Sequence, residues 1–574
     1  MTKTVAIGSQ DYSNLIENRY FYIDKTSFIK DWWNSGDSVT LITRPRRFGK
    51  TMTMSMLNYF FSKRYAGRSD LFEGLDIWKE EKFRELQGTY PVIFVTFAGV
   101  KGKTYADAVC GIKKQIVNLF SGYSYLGTFD GLSENEKTAL NRISEEMKDV
   151  DAEYSLNLLS TLLEKYYGKK VLIFLDEYDT PLQEAYIQGY WDEMTAFIRT
   201  MFNNTFKTNP SLERAVMTGI TRVSKESIFS DLNNLTVVTT TSDKYATAFG
   251  FTEEEVFKAV EEQGYDDSMK ESVKRWYDGF TFGKHADIYN PWSITYFLDT
   301  GKLDTYWANT SGNGLVGHLI SNGNPSIKME FEKLLKGECI ETEIDEQIVF
   351  NYLDSNEDAV WSLLLASGYL KCVKIIQDKP EDTAIYRLVL TNFEVKKMFE
   401  KMVSSWFKQD KSLNEFVKAM FKGDIKSMNQ YMNRVALNTF SYFDAGNKPS
   451  EESEPEKFYH GFVLGLLVDN AKNYNLKSNR ESGFGRYDVV LEPKDKSDIA
   501  VIMEFKVYDK EYDDENDLSD TADNALAQIE EKQYAADLLA QGIPEENIRK
   551  YGFAFRGKKC LIKSKNTGGH FCNM

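Results

Sequence analysis

Two stretches hold residues whose types and spacing suit phosphate chemistry. The first reads Arg44-Pro45-Arg46-Arg47-Phe48-Gly49-Lys50-Thr51. It falls between a short apolar run, Val39 to Thr43, and a segment of helical periodicity, Thr51 to Phe61. A loop in that position turns backbone N–H groups and a helix N-terminus toward an anion. Lys50 would give a point charge to the β- and γ-phosphates of a nucleotide, and the Thr51 hydroxyl would ligate Mg²⁺. Arg44 stands where the G-x-x-x-x-G-K-[ST] spacing has its first glycine. Taken alone, Gly-Lys-Thr also fits a chance loop. A second run changes that balance: Leu172 to Leu175 is apolar and ends in Asp176-Glu177. Asp176 would hold Mg²⁺ through water and Glu177 would polarise the attacking water. Packing gives no reason for such an ending, because unpaired buried charge is costly. Thr218 and Thr221 lie at or just after the end of the next apolar strand, where a polar side chain can sense a γ-phosphate. Arg222 either reaches a phosphate, in cis or from a neighbouring subunit, or is an ordinary surface arginine. Arg46 and Arg47 either flank the nucleotide or are solvated. The expected cradle is therefore Arg46, Arg47, Phe48, Gly49, Lys50 and Thr51, with Asp176, Thr218 and Arg222 opposite.

The second stretch runs from Gly485 to Lys506. Gly485 to Leu491 and Val501 to Lys506 read as two strands joined by the charged turn Lys494 to Asp498, a hairpin. Asp488 lies near the start of the first strand. Glu504 and Lys506, two apart on the second, project from one face, and Phe505 points to the other. Two carboxylates and a lysine on adjacent strands suit phosphodiester hydrolysis: Asp488 and Glu504 bind Mg²⁺, and Lys506 neutralises the transition state or positions water. By spacing alone, an exposed strand face with an ion pair accounts for the same residues. The flanks add support. A helical stripe (Phe458, Phe462, Leu466) opened by Glu456 precedes the hairpin. An acidic loop from Tyr512 to Asp520, a helix with Gln528, Ile529 and Tyr534, and a strand from Tyr551 to Phe555 follow. Arg556, Lys558, Lys559, Lys563 and Lys565 make a basic tail after that strand, which either grips a DNA or RNA backbone or is a solvated C-terminus.

Elements that could position the first group are plain. Pro91 to Phe97, Val171 to Leu175 and Ala215 to Ile220 are continuous apolar runs separated by helical stretches, which implies a parallel sheet covered on both faces. From about Thr252 the pattern turns helical. Thr252 with Glu255 suits a capping box, and Val395, Met398, Phe399, Met402, Val403 and Trp406 form a core-type helical stripe. The polar, two-proline stretch Ala445 to Glu456 reads as a linker. Three units are expected: 1–240, 241–445 and 456–565.

The chain has 574 residues and is 42% hydrophobic, so packed cores rather than disorder are expected. A net charge of -16 argues against coating nucleic acid by bulk attraction, though not against a local basic groove. Five cysteines without CxxC spacing and four scattered histidines give no zinc site or disulfide framework. No signal core and no run near the ~20 apolar residues of a membrane span is present, so the expected setting is cytoplasmic.

Tyr22-Ile23-Asp24-Lys25-Thr26, RPRRFGKT, FLDEYDTPL and TGITRVSKESIFSDLNNL together resemble the bacterial AAA-ATPase-like family, P-loop proteins related to the archaeal-type and STAND ATPases. Trp276 to Phe280 (WYDGF) and Tyr289 to Ser293 (YNPWS) fit it too, in a helical or winged-helix lid. The likeness spans about residues 5 to 300, and RPRRFGKT is common in the family, so Arg44 need not count against binding. SNRESGFGRYD, IMEFK and ALAQIEEKQY are similar to the PD-(D/E)XK nuclease superfamily domain often fused to such proteins, over about residues 455 to 562. The resemblance implies an α/β fold: a P-loop NTPase parallel sheet, a mainly helical, winged-helix-like middle region and a PD-(D/E)XK-like α/β domain. It implies ATP and Mg²⁺ as cofactors, catalytic roles for Asp488, Glu504 and Lys506 with Gln528 and Glu481 in support, and nucleic acid, DNA before RNA, as partner. It allows a homo-oligomer. Two function classes follow: an ATP-dependent nuclease, and a STAND-like nucleotide-controlled switch whose C-terminal fold only binds a partner. A structural protein with a degenerate loop is disfavoured by the intact Lys50, Thr51, Asp176 and Glu177.

Overall fold

The computed structural model describes residues 3–222, 228–229, 232–308, 310, 313–322, 325–345, 353, 356–377, 379, 383–408, 413–439, 474–482, 485–508, 517–556 and 559–564. Its contacts divide the chain into two compact units. One comprises Met1–Leu319 and Gly337–Met398, and the other comprises Ile320–Lys336 and Phe399–Met574.

The first unit is built on a five-stranded sheet in the order β2-β3-β4-β1-β5. The strands are β1 (Val39–Thr43), β2 (Val92–Thr96), β3 (Val171–Asp176), β4 (Leu212–Gly219) and β5 (Leu235–Val238). Every pairing is parallel. Parallel strands need crossovers, which cover both faces and leave no polar side, so β1 and β3 are buried at every residue. Ile42, Leu172, Phe174, Val216 and Val238 pack with Met54, Leu57, Phe60 and Phe61 of the Lys50–Phe61 helix. The alternate residues Leu41, Ile173, Leu175, Ala215 and Met217 are equally buried. Helices Tyr105–Ser121 and Asp149–Tyr167 pack against β2 and β3. The strand that feeds the Gly-Lys-Thr loop thus sits between β4 and β5, and the strand ending in Asp-Glu lies one further over.

Beyond the sheet, β6 (Phe251–Thr252), β7 (Phe280–Phe282) and β8 (His285–Tyr289) form a small antiparallel sheet in the order β6-β8-β7. Thr252 and Glu255 make both halves of the expected capping box at the head of the Glu253–Glu262 helix. Helices Asp267–Tyr277, Pro291–Thr300 and Glu357–Ala366 alternate with a second antiparallel sheet, β9 (Ile340–Glu343), β10 (Leu370–Ile376) and β11 (Ile385–Leu390). Val395, Met398 and Phe399 of the expected stripe are buried. No described helix is long and apolar enough to cross a membrane.

The second unit holds a mixed sheet in the order β12-β13-β14-β15-β16: β12 (Tyr474–Ser482), β13 (Gly485–Pro493), β14 (Ala500–Val507), β15 (Ile548–Arg556) and β16 (Lys559–Ser564). Only β14 and β15 run parallel. Val489, Leu491, Met503 and Phe505 face one core with Phe416, Met420 and Met428. Val490 and Ile502 face another with Leu526, Ile529 and Tyr534, partly from the Leu518–Glu531 helix.

The β13–β14 hairpin and the β15 strand match the expectation. The reading of the C-terminal basic residues as a tail does not: 559–564 is an edge strand paired with β15. Its Cys560 and Ile562 are buried, while Leu561 between them shares the other face with Lys559 and Lys563, and the flanking charge hid this short apolar run. Two asparagines one helical turn apart satisfy the edge. Asn429 donates to Ile562 O (2.9 Å) and accepts from its N–H (2.8 Å), and Asn433 does the same with Cys560 (2.7 and 3.0 Å). Ala445 to Glu456, the stripe of Phe458, Phe462 and Leu466, the Tyr512 end of the acidic loop, Lys558 and Lys565 lie outside the described residues.

Candidate functional site

The phosphate loop is tied to the sheet at both ends. Arg44 N–H donates to Gly219 O (3.1 Å) at the tip of β4. Gly49 enters the helix at φ +80°, a left-handed conformation that glycine adopts without strain. Lys50 opens the helix, is 6% exposed, and folds back to donate to Arg44 O (2.8 Å) and Pro45 O (2.7 Å). Burial pushes its ammonium down to about 8, against the pull of Glu177, Asp179 and Asp176. The loop carbonyls hold the lysine where an anion would replace them.

Asp176 is fully buried at the end of β3 and is bracketed by two hydroxyls. Thr51 Oγ1 donates to its Oδ2 (2.7 Å), and Thr218 Oγ1 donates to its Oδ1. These three residues, far apart in sequence, meet at the C-terminal ends of adjacent strands, where ligands of open α/β sheets bind. The donor set of a threonine hydroxyl and a carboxylate suits Mg²⁺. Glu177 is held at φ +53°, unusual for a non-glycine residue and common at functional sites. Burial, and then the neighbouring Asp176, raise its carboxyl above the ordinary value.

Arg44 resolves the departure from the glycine spacing. Its side chain is fully buried and turns away from the loop's mouth. It donates to Thr43 O (2.9 Å) and Thr239 O (2.6 Å), and stacks over Phe282 at 4.5 Å. Burial pushes its guanidinium down to about 9. The residue props the loop from below. Phe48 is likewise buried, against Phe280 (4.7 Å) and Phe282 (5.4 Å), so its share of the cradle is left to the main chain.

Arg46 and Arg47 are exposed at the loop's crest. Arg47, at φ +65°, lays its guanidinium over Trp292 (3.8 Å), and Arg46 Nη2 donates to Gln183 Oε1 (3.3 Å). The Arg46 carbonyl accepts from Asn290 Nδ2 (3.2 Å) and Trp307 Nε1 (3.0 Å). The run Tyr289 to Ser293 thus contributes directly to the loop, which the sequence reading did not foresee.

Asp179 was also missed, although it lies in the quoted FLDEYDTPL run. It is 1% exposed, and its Oδ2 accepts from Ile220 N–H (2.9 Å), Thr221 N–H (3.1 Å) and Gln183 Nε2 (2.9 Å). Thr221 is therefore turned to Asp179. Arg222 is half-buried just beyond and does not line the cavity over the loop.

In the second unit, Glu504 is 3% exposed and accepts from Gln528 Nε2, which also reaches Tyr534 OH (3.1 Å). Lys506 follows two residues on, half-buried, on the same face. β13 and β14 pair Val489 with Met503, so Asp488 sits one step along the same ladder, beside Glu504 in register. The side chains of Asp488 and Glu481 lie outside the described residues. Of the basic residues, Lys563 bonds Asp523 and Ser519 O (3.0 Å), and Arg556 lies over Tyr508 (4.7 Å). Lys559 is exposed.

One further acidic group, Glu253, Asp278 and Asp287, brings its carboxylates within 4.8 Å. Lys274 and the Tyr289 hydroxyl (3.1 Å) already bond Glu253, and burial with Asp287 pushes Asp278 up to about 6.

Comparison with known proteins finds a family match in each half of the chain. Residues 6–229 match the family model of the AAA-ATPase-like proteins, described as predicted AAA-ATPases. Residues 454–565 match that of the PD-(D/E)XK nuclease superfamily. The chain is 23% identical over 557 residues to a protein of Azotobacter chroococcum mcd 1 described as an uncharacterized protein in the vnfD 5' region, across 94% of this chain and 95% of the relative. The chain therefore carries an AAA-ATPase-like domain followed by a PD-(D/E)XK nuclease superfamily domain.

Proposed function

We propose that the protein binds and hydrolyses ATP at the first site and cleaves nucleic acid, DNA before RNA, at the second. The observation that carries the first half is the convergence of Lys50, the Thr51–Asp176 bond and Glu177 at one end of a buried parallel sheet. Gly49 and the backbone of 46–51 cradle the phosphates, and Lys50 leaves its two carbonyls to pair with them. Thr51 and Asp176 would hold Mg²⁺, which when bound neutralises phosphate charge. Thr218 keeps Asp176 oriented. Glu177 takes the proton of the attacking water, and its raised pKa makes it a stronger base than an ordinary glutamate. In the C-terminal domain Asp488 and Glu504 would hold the divalent metal, Gln528 orients Glu504, and Lys506 offsets charge on the phosphodiester.

A second reading has its own support. The Arg46 carbonyl is gripped by Asn290 and Trp307, so movement of the loop is passed to the segment beyond the sheet, as a nucleotide-controlled switch requires. In that reading the C-terminal domain binds a partner without cutting.

The deciding assay uses plasmid, linear and single-stranded DNA and RNA with Mg²⁺ or Mn²⁺, with and without ATP. Cleavage lost in Glu504→Ala supports the nuclease, and its further loss in Lys50→Ala means that the sites are coupled. ATP turnover with no cleavage under any condition leaves the switch.

A further inference from the structure

The other end of the parallel sheet carries chemistry of its own. The phosphate site lies at the C-terminal ends of the strands, and each crossover brings the chain back to the N-terminal ends. There the turn Lys63–Tyr65, which follows the Lys50–Phe61 helix, meets Tyr90 just before β2, with Lys63 N–H donating to Tyr90 O (2.8 Å). The turn Ser124–Thr128 and the end of the Asp149–Tyr167 helix arrive beside them.

These ends assemble a row of rings. Tyr123 lies 6.2 Å from Tyr125, Tyr125 lies 4.9 Å from Tyr166, and Tyr166 lies 5.1 Å from Phe129 and 4.8 Å from Tyr167. The Tyr125 and Tyr167 hydroxyls bond each other at 2.9 Å, and Tyr123 OH donates to Val92 O, which fixes the row in place. Tyr166 touches three of these rings and is still 42% exposed. Cations stand over rings at the margin. Lys63 Nζ is 4.9 Å from the centre of the Tyr167 ring, Arg64 Cζ is 5.3 Å from that of Tyr123, and Lys169 Nζ is 3.5 Å from that of Tyr90. Among the described residues none of the three pairs with a carboxylate, whereas Lys165, one residue before Tyr166, pairs with Glu136 (2.5 Å). Burial, and then the charge of Lys63, lower the Lys169 ammonium from its ordinary value, and Glu213 offsets this only in part. Unneutralised cations thus crowd one another in a chain whose net charge is -16.

We propose that this face binds single-stranded nucleic acid, with Tyr166 at the centre of a stacking platform and Lys63, Arg64 and Lys169 neutralising backbone phosphates. Every base offers a flat face on which an aromatic ring can stack, and phosphates recur beside the bases of a strand as these cations recur beside the rings. A duplex closes its base faces in the stack and would use the cations alone. An acidic peptide has no flat face beside each charge. The row lies at the opposite end of the strands from the phosphate loop and outside the C-terminal domain. The proposal therefore goes beyond the two sites above and stands whether or not the second one cuts.

The test uses the full-length chain in EDTA, where metal-dependent cleavage is off. Binding of labelled oligothymidylate and oligouridylate of about 20 nucleotides, and of a duplex of the same length, is followed by fluorescence anisotropy across a salt series. A bromodeoxyuridine strand is then photocrosslinked to the chain and the attached peptides are mapped. The single strands should bind more tightly than the duplex, with crosslinks on the peptides that hold Tyr125, Phe129 or Tyr166. Tyr166→Ala weakens single-strand binding about fivefold or more. Lys63→Gln together with Arg64→Gln lowers the salt slope by about 1.4. Both variants change exposed side chains and keep the ATP turnover of the unaltered chain. Should Tyr166→Ala fail to fold, the crosslink map and the charge variant decide. Crosslinks confined to residues 454–565, duplex binding as tight as single-strand binding, or unchanged affinity in a folded Tyr166→Ala overturns the proposal. So does binding to phosphatidylserine vesicles without binding to either strand.

Discussion

Gly250→Ala is a sharp test of how the phosphate loop is supported. Gly250 lies at φ +85°, just before β6, behind the Phe48 ring. A Cβ there would stand 2.7 Å from Ile288 Cγ2 and 3.0 Å from two carbons of Phe48. Two costs add. Holding alanine in the left-handed region costs about 1–2 kcal/mol. Overpacking a closed core costs about 1–3 kcal/mol more. The expected loss is therefore about 2–5 kcal/mol, read as a lower urea midpoint for the N-terminal unit. Gly36→Ala is the control: φ is +79° and a Cβ would meet nothing within 4 Å, so only the backbone cost of about 1–2 kcal/mol applies. The difference between the two variants isolates the pressure on Phe48 and Ile288. If about 1.4 kcal/mol of that pressure reaches the loop, tripolyphosphate affinity falls tenfold in Gly250→Ala and is unchanged in Gly36→Ala. Equal destabilisation by the two substitutions, with equal binding, would refute the argument that Phe48 transmits packing to the cradle.

Three further outcomes are expected. Burial holds the Lys50 ammonium at about 8, so phosphate affinity weakens as pH rises through that value; titration across about pH 7 to 9 checks this, and Lys50→Ala flattens the dependence. Glu177→Gln keeps ATP affinity and lowers turnover by about 10²–10⁴-fold, while the unaltered rate falls with acid at a pH above that of an ordinary glutamate. Glu394 is buried, accepts from Ser293 Oγ (2.8 Å) and Tyr306 N–H (2.6 Å), and burial pushes it up to about 7 from 4.5. Because the folded state holds this proton more tightly than the unfolded one, stability is lost as pH rises from about 4.5 to 7, by about 3 kcal/mol. Glu394→Gln removes that slope in urea melts taken across the window.

The alternation of apolar runs with helical stretches in the first 240 residues was enough to read the parallel sheet, because a sheet covered on both faces writes its strands as unbroken apolar segments. The same logic missed β16, where the apolar run Cys560 to Ile562 is only three residues long and is flanked by Lys559 and Lys563 on an edge. Lys50, Thr51, Asp176 and Glu177 stand out in the sequence because the chemistry expected of them is local to a strand end or a helix start. Asn290, Trp307 and Asp179 were not. Asn290 and Trp307 act through contacts with the Arg46 carbonyl across more than two hundred residues, and a single sequence carries no record of such distances. In the sequence Arg44 reads as a departure in a binding loop, whereas its side chain belongs to the core under that loop.

The Arg46 carbonyl bears on where this protein can be cut. A fragment ending after β5 would keep every residue of the phosphate motif, yet lose the Asn290 and Trp307 donors and bare the Phe48 ring that Phe280 and Phe282 cover. Such a piece would be sticky, with its loop held from one side only. The smallest independently working fragment should therefore reach past Trp307, and gene trimming or domain swapping that breaks at the edge of the sheet would separate a motif from half of its support.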